Sequence, residues 1–210
     1  MNYSEFRELR QDLLLKCPEL VDMAETNHVR ALAPCLAAVE IAEDAPKAHR
    51  CHLAEDWLDL FDFPADDKNR LCISRGVRHS LELIFPVLAQ NGYLLHLPTD
   101  VYPVYEALAA SAGIERQAFP TLPEFQLPGS PKNGPEVLLL PNPLKPVGRY
   151  LSNGEVADIK DWLARDERRR LIIDGVYTFD THFHGSTLDL LSTGQTILLH
   201  SLSKGWVSPL

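Results

Sequence analysis

Five residues of this chain are of the types that could act together on a small, planar, anionic ligand. Lys204 follows the apolar run TILLHSLS and offers a nucleophilic amine. Asp174 and Tyr177 stand in the stretch DGVY and offer a carboxylate and a phenol. Tyr102 follows another apolar run and offers an aromatic face. Gly76 opens a predicted helix whose first amide hydrogens can bind an anion.

Short apolar runs that alternate with helix-like segments position these residues. The runs are LCIS, YLLHLP, EVLLLP, RLIIDGVY and TILLHSLS, at residues 71–74, 93–98, 136–141, 170–177 and 196–203. Runs that are apolar on both faces and separated by helices are typical of a parallel sheet covered on both sides. Such sheets bind ligands at the carboxyl ends of their strands. The sequence therefore predicts an α/β fold, with a mostly parallel sheet, helices on both faces and a site at that edge.

Other local patterns describe the rest of the chain. The first fifty residues read as helical segments of weak definition and carry no chemical signature. Ser152 and Glu155 have the spacing of a capping box and predict the start of a helix. A cluster of three arginines at 168–170 follows this helix, and we interpret it as a group of solvated cations that favour the helix dipole.

The composition argues against several classes of function. Twenty basic residues against twenty-nine acidic ones give a formal net charge of −9, the wrong sign for a protein that neutralises nucleic-acid phosphates. The N-terminal segment mixes acids and bases among its apolar positions and predicts neither a signal peptide nor a membrane span. The four cysteines are widely spaced without a CxxC pair, which favours reduced thiols. We expect a cytoplasmic protein without nucleic-acid or membrane partners.

A metal site is a competing interpretation of one short stretch. His182 and His184 stand two residues apart beside Asp180, and on a strand both imidazoles would face the same side as metal ligands. No third and fourth ligand stands near them in the sequence. The prediction for DTHFHG is therefore a surface loop without a metal.

The five candidate groups together match the needs of pyridoxal phosphate. A lysine forms the Schiff base, and the cofactor serves as an electron sink. The order of Gly76, Tyr102, NPLKPVG, DGVY and SLSK resembles that of the fold-type-I pyridoxal-phosphate enzymes, specifically the class I/II aminotransferases that include histidinol-phosphate aminotransferase. The resemblance covers about residues 70–207. It implies transfer of an amino group between an amino acid and a 2-oxo acid.

Carried over position by position, the resemblance implies the roles of four side chains. Lys204 resembles the lysine that forms the Schiff base and later moves a proton between the substrate Cα and the cofactor, which needs a neutral amine. Asp174 resembles the carboxylate that keeps the pyridine nitrogen protonated. Tyr177 resembles the phenol that hydrogen-bonds the cofactor O3′, and Tyr102 resembles the ring stacked on the cofactor face.

The resemblance also implies a phosphate site and shows one departure. The phosphate is expected at the backbone amides of Val77 and Arg78 and at the Ser201 hydroxyl, and the Arg78 side chain could add its charge. The family turn usually reads Asn-Pro-x-Asn-Pro-x-Gly, and its second asparagine donates a hydrogen bond to O3′. Lys145 takes that position here; it can also donate, but its charge would stabilise the phenolate. Asn142 matches the first asparagine and is interpreted as structural.

The resemblance also implies a division into domains and an oligomeric state, and it leaves alternative functions open. Family chains continue well beyond the lysine, so this chain resembles an N-terminal part. Residues 1–50 would belong to a small domain or dimer arm, and residues 51–210 to a pyridoxal-phosphate-binding large domain that is incomplete at its C-terminus. Family members are usually homodimers, so a homodimer is expected. Decarboxylases, lyases and cyclising enzymes use the same cofactor residues and remain alternatives, as does a catalytically silent fragment.

Overall fold

The computed structural model describes residues 3–17, 53–64, 70–129, 134–180 and 182–205. Within them the chain forms seven helices and five strands. The helices are α1 (Tyr3–Lys16), α2 (Leu53–Leu60), α3 (Val77–Gln90), α4 (Val104–Ser111), α5 (Asn153–Ala164), α6 (Gly185–Leu191) and α7 (Leu202–Gly205). The strands are β1 (Leu94–Pro98), β2 (Glu115–Phe119), β3 (Glu136–Pro141), β4 (Arg170–Asp174) and β5 (Thr196–Leu199). None of the described helices combines the length and apolar character that a membrane crossing needs.

The predicted N-terminal helical segment is described only in part. Helix α1 lies within it, whereas residues 18–50 lie outside the described part of the chain. The division of the chain at residue 50 therefore stays a prediction.

The five strands form one parallel sheet in the order β2-β1-β3-β4-β5. The register pairs Pro141 with Asp174 and Asp174 with Leu199, so the carboxyl ends of β3, β4 and β5 lie side by side. The turns that follow these three strands therefore leave the same edge of the sheet. The predicted α/β fold with a mostly parallel sheet is confirmed.

Two details of the predicted sheet are different in the structure. The run LCIS, predicted as a strand, pairs with none of the described strands, and Cys72 and Ile73 within it are exposed. Strand β2 was not predicted, because its sequence ERQAF lacks an apolar pattern. Four of its five residues are exposed, as expected of the edge position that β2 takes among the described strands. The other four predicted runs contain β1, β3, β4 and β5.

Helices cover both faces of the sheet because side chains alternate along its strands. In β3, Val137 and Leu139 pack into a buried cluster with α3 and α4. Leu138 and Leu140 point the other way and pack into a second cluster with α5 and α6. All six residues of β3 are buried, which explains why this strand reads as a continuous apolar run.

The two predictions about α5 and its end have different outcomes. The capping box is confirmed: the Glu155 backbone N–H donates to Ser152 Oγ at 3.3 Å, and the Ser152 backbone N–H donates to Glu155 Oε2 at 2.7 Å. The interpretation of the arginine cluster as solvated is wrong for Arg169, which is only 6% exposed. Its guanidinium donates to Glu136 Oε1 at 3.0 Å and to the Trp162 carbonyl oxygen at 2.6 Å.

These contacts belong to a buried polar cluster, formed by His96, Glu136 and Arg169, near the starts of β3 and β4. The second carboxylate oxygen of Glu136, Oε2, lies 2.7 Å from His96 Nε2. Burial lowers the pKa of His96, although the hydrogen bond and the charge of Glu136 oppose that shift. Because Glu136 contacts both basic residues, it holds the cluster together.

Candidate active site

Asp174 ends β4 and is held by donors from two directions. It is 4% exposed. One carboxylate oxygen accepts a hydrogen bond from the Tyr105 hydroxyl of α4, and the other accepts from the Val176 backbone N–H at 3.0 Å. Burial, and after it the charge of Asp174, raises the pKa of Tyr105 well above its ordinary value. The phenol therefore stays protonated and remains a donor to the carboxylate.

Lys145 reaches the same carboxylate from the turn after β3. Its Nζ lies 3.8 Å from Asp174 Oδ2 and 4.3 Å from the centroid of the Tyr177 ring. Burial lowers the pKa of the Lys145 amine; the charge of Asp174 opposes this shift, and the charge of Lys204 adds to it. Lys204 lies in α7, which follows β5, and the carboxyl end of β5 lies beside Asp174. The structure brings Lys145 into contact with Asp174 and Tyr177 and places Lys204 at the same edge of the sheet.

The turn that carries Lys145 is fixed by Asn142, which is fully buried. Its side-chain amide donates to Ser186 Oγ at 3.0 Å and to Thr187 Oγ1 at 2.8 Å. Its Oδ1 accepts from the Leu151 backbone N–H at 3.1 Å. These contacts use both polar atoms of the amide within the protein, which confirms the structural interpretation of Asn142.

The start of α3 faces the turn that follows β5. Gly76 precedes the helix with φ 97° and ψ 171°, and it makes no side-chain cap. A Cβ built on Gly76 would lie 3.8 Å from Ser201 Oγ, so the hydroxyl stands beside the helix start. The backbone amides of Val77 and Arg78 belong to the same turn, whereas the exposed Arg78 side chain donates to Glu82 at 3.1 Å. This arrangement offers amide and hydroxyl donors to an anion.

Replacing Gly76 by alanine tests the backbone of this turn. Its φ and ψ lie in a region that is essentially restricted to glycine, so we expect Gly76→Ala to lower the free energy of unfolding by about 1–3 kcal/mol. Gly154→Ala is the matched control, because a Cβ at Gly154 meets no atom within 4 Å and this glycine lies in the first turn of α5. Urea unfolding of both variants measures the difference. Equal stabilities would show that the turn carries no such constraint.

Tyr102 lies at the rim of this region rather than in its centre. It is 43% exposed, and its ring meets the ring of Tyr105 edge-on, with 6.0 Å between centroids. A cavity of about 330 Å³ lies beside it and is also lined by Glu106 and Arg116. Neither Asp174 nor a residue of α7 lines this cavity. The structure thus links Tyr102 to Asp174 through Tyr105, and its stacking role stays a prediction.

The histidines of DTHFHG have separate partners. His182 Nδ1 lies 3.5 Å from Asp180 Oδ1 in an exposed pair. His184 stacks on Tyr150 with 4.1 Å between ring centroids and caps α6 by accepting from the Ser186 N–H. Across the part of the chain that the structure describes, no group of three or more His, Cys, Asp or Glu side chains is arranged to hold a metal ion.

Sequence reasoning missed two contributors to this region. Tyr105 follows Tyr102 by three residues in VYPVYEAL, and this spacing predicts that both lie on the same face of a helix. It does not predict the hydrogen bond from Tyr105 to Asp174. Trp57 of α2 donates from Nε1 to His200 Nδ1 at 3.2 Å, next to Ser201. These two residues are 143 positions apart in the chain, so no local pattern could have paired them.

The chain is similar in sequence to curated proteins that are named as aminotransferases and as a lyase. No family model matches it. It is 29% identical over 152 residues to "Probable aminotransferase TAT1" of Arabidopsis thaliana, covering 67% of this chain and 33% of that protein. It is also 29% identical over 147 residues to "S-alkyl-thiohydroximate lyase SUR1" of the same plant, covering 65% and 32%. The chain thus spans about a third of the length of these curated relatives.

A solved structure shares the fold at lower sequence identity. The crystal structure of a putative histidinol-phosphate aminotransferase from Erwinia carotovora atroseptica superposes with a TM-score of 0.58 at 22% identity. The match covers 83% of this chain and 52% of that one. It supports the α/β architecture described above.

Proposed function

We propose that this chain carries the cofactor site of a pyridoxal-phosphate-dependent aminotransferase, which moves an amino group between an amino acid and a 2-oxo acid. The observation that carries the proposal is the convergence of Lys145, Asp174, Tyr177 and Lys204 at one edge of a parallel sheet. Ligand sites of such sheets lie at this edge. The similarity in sequence to a probable aminotransferase supports the same reaction class.

The residues present fit pyridoxal phosphate. Each oxygen of a carboxylate can accept two hydrogen bonds, so Asp174 retains capacity for a ring N–H beyond the bonds from Tyr105 and Val176. The uncapped start of α3 beside the Ser201 hydroxyl suits a phosphate. The Lys145 amine near the carboxylate suits a phenolic oxygen, and the Lys204 amine at the same edge of the sheet suits an aldehyde.

Each side chain then has a definite task. When bound, pyridoxal phosphate supplies an electron sink. Lys204 would hold the cofactor through its amine and, as a neutral amine, would carry a proton to and from the substrate Cα. Asp174 would hold a proton on the ring nitrogen. Tyr177 and Lys145 would donate toward the phenolic oxygen, and Tyr102 would be the aromatic ring offered to the cofactor from the rim of the site.

A lyase is the second candidate function. The identity of 29% to an S-alkyl-thiohydroximate lyase equals that to the probable aminotransferase. Lys145 also replaces the asparagine of the aminotransferase turn, which adds a cation to the site. Because related sites carry different reactions, both classes must be assayed.

Three further proposals concern the subgroup of aminotransferases, the oligomeric state and the cellular location of the chain. We propose that the chain is a histidinol-phosphate aminotransferase-like protein that acts as a homodimer in the cytoplasm. The motif order supports the first proposal. The free thiols of Cys17 and Cys72 agree with a reducing compartment.

Incubation of the chain with pyridoxal phosphate, followed by borohydride reduction and peptide mass spectrometry, tests the proposed site. We expect the pyridoxyl group on Lys204 and its loss from that peptide in Lys204→Ala. Lys160→Ala is the matched control, because Lys160 lies on α5 in a surface pair with Asp189 at 3.8 Å. A label on surface lysines alone, unchanged by Lys204→Ala, would contradict the proposal.

A second assay separates the two reaction classes. The loaded chain is given amino-acid donors, including sulfur-containing ones, with and without a 2-oxo acid. An aminotransferase forms a new amino acid only when the 2-oxo acid is present, in equal amount to the oxo acid formed from the donor. A lyase cleaves its substrate without an acceptor.

A further inference from the structure

His200 lies between the end of β5 and Ser201, inside a set of aromatic rings that we name the aromatic box: Trp57, Phe61, Phe63 and Phe183. The centroid of the His200 ring is 4.8 Å from that of Phe61 and 5.3 Å from that of Phe183, both edge-on. Phe61 and Phe183 are each 4% exposed. The imidazole therefore lies in a largely apolar surrounding one residue before the predicted phosphate ligand.

The hydrogen bonds of His200 define its tautomer. The indole N–H of Trp57 can only donate, so His200 Nδ1 must accept it, at 3.2 Å. The ring proton then lies on Nε2, which is 3.5 Å from the Thr178 carbonyl oxygen. A proton added to Nδ1 would remove the acceptor of the Trp57 bond. The bond thus exists only with neutral His200.

The surroundings of His200 favour this neutral form. Burial lowers the pKa of His200, while the Thr178 carbonyl and the charge of Asp174 oppose the shift. Asp174 is the charged group that acts on it, and the rings of Trp57, Phe61 and Phe183 pack around it.

Three separate parts of the chain meet at this imidazole. Trp57 belongs to α2, Thr178 follows DGVY, and His200 leads into the turn of Ser201 and Lys204. Backbone bonds link the last two parts, since the Gly175 N–H donates to the Leu199 carbonyl at 2.8 Å. We propose that Trp57 is a positioning residue, which holds His200 neutral and thereby fixes the turn that carries Ser201 and Lys204. The value of that turn for cofactor binding rests on the proposed function.

Trp57→Phe tests the positioning role because it keeps an aromatic ring and removes the N–H donor. Trp162→Phe is the matched control: Trp162 is also buried, its N–H has no hydrogen-bond partner among the described residues, and it lies in the core cluster of Leu138 and Leu140, which does not include Trp57. In the cofactor-free chain we expect amide hydrogen exchange of residues 199–205 to accelerate roughly 2- to 10-fold in Trp57→Phe, the effect of losing one hydrogen bond.

The pKa of His200, measured by NMR of its ring, is a second readout. It would not change if Trp57 had a merely structural role. In Trp57→Phe a proton can enter Nδ1 without breaking a bond, so the pKa of His200 should rise toward its ordinary value. In the original chain, the protection factors of the turn, which correct for the intrinsic pH dependence of amide exchange, should fall as His200 gains its proton. In Trp57→Phe these protection factors should depend much less on pH.

His200→Asn and His200→Leu extend the test to cofactor affinity. Asparagine retains an acceptor near the place of Nδ1 without a titrating ring, whereas leucine retains none. We expect His200→Asn to bind pyridoxal phosphate nearly as tightly as the original chain at neutral pH, and His200→Leu and Trp57→Phe to bind it roughly 2- to 10-fold more weakly.

The outcomes separate this proposal from the proposed function. If Trp57→Phe matches Trp162→Phe in exchange and in histidine titration, the positioning role is wrong, whether or not the cofactor binds. If Trp57→Phe alters both properties but the original chain binds no pyridoxal phosphate, the positioning of the turn stands and the proposed function fails.

Discussion

Asp174→Ala is expected to weaken the binding of pyridoxal phosphate roughly 10- to 100-fold, since a hydrogen bond to a charged group contributes about 1.5–3 kcal/mol. Asp174 is the carboxylate around which the site converges, and Tyr105, Val176 and Lys145 hold it in place. Alanine removes the proposed acceptor for the cofactor's ring N–H and leaves the Lys145 amine without its counter-charge. Titration of the full chain with the cofactor, followed by fluorescence, measures the change.

Two further variants make this result specific. Asp158→Ala removes the same charge from an exposed position on α5 and should leave affinity unchanged. Asp174→Asn keeps the shape and an acceptor for Tyr105 but loses the negative charge, so it should also bind weakly while remaining folded. If Asp174→Asn and Asp174→Ala both retain the original affinity, Asp174 does not face the cofactor ring.

Glu136→Leu is expected to lower the free energy of unfolding by about 3–5 kcal/mol, the effect of leaving a buried partner charge uncompensated. Glu136 contacts both His96 and Arg169, and Arg169 is 6% exposed. Once the carboxylate is removed, the guanidinium remains buried next to the Trp162 ring, 4.5 Å from its centroid. Urea unfolding at neutral pH measures the loss.

The double variant Glu136→Leu with Arg169→Met identifies the cause. It removes both charges, so it should recover a large part of the stability lost in Glu136→Leu. If the double variant is less stable than Glu136→Leu, lost packing rather than the lone charge explains the effect. Arg168→Met is the matched control, since Arg168 pairs with Asp166 on the surface at 2.7 Å.

The buried polar cluster also makes the free energy of unfolding depend on pH, and the pKa of His96 determines the sign of this dependence. The pKa of His96 is lower in the folded chain than its ordinary value of 6.5. As the pH falls below about 6.5 the unfolded chain gains a proton that the folded chain does not, so stability decreases until the folded pKa is reached. His200 contributes in the same direction.

The local sequence pattern was sufficient to predict much of the fold. Residues 136–141 are buried on both faces of the sheet, and a strand in this environment is typically a continuous run of apolar residues. The capping box at Ser152 is equally local, because its two partners are three residues apart. The exposed edge strand β2 was missed for the converse reason: four of its five residues face solvent and leave no apolar signal.

The local sequence pattern did not predict the environment of a residue whose contact partner lies far along the chain. The arginine cluster reads as a solvated helix end, yet Arg169 meets Glu136, which is 33 residues away. Tyr105 reads as a helix residue, yet its hydroxyl meets Asp174, which is 69 residues away. In both cases the residue type is compatible with solvent, and the packing of other elements decides its environment.

The sequence by itself therefore determined the parallel α/β sheet apart from its edge strand β2, the ends of β1, β3, β4 and β5, and the chemical types of the residues that follow them. These features depend on burial and turn chemistry, which act over a few neighbouring residues. Only the tertiary structure decided that Lys145 contacts both Asp174 and Tyr177, and that Trp57 binds the histidine before Ser201. Hydrogen bonds and charge pairs act over a few ångströms, and which groups come that close is set by how distant elements pack.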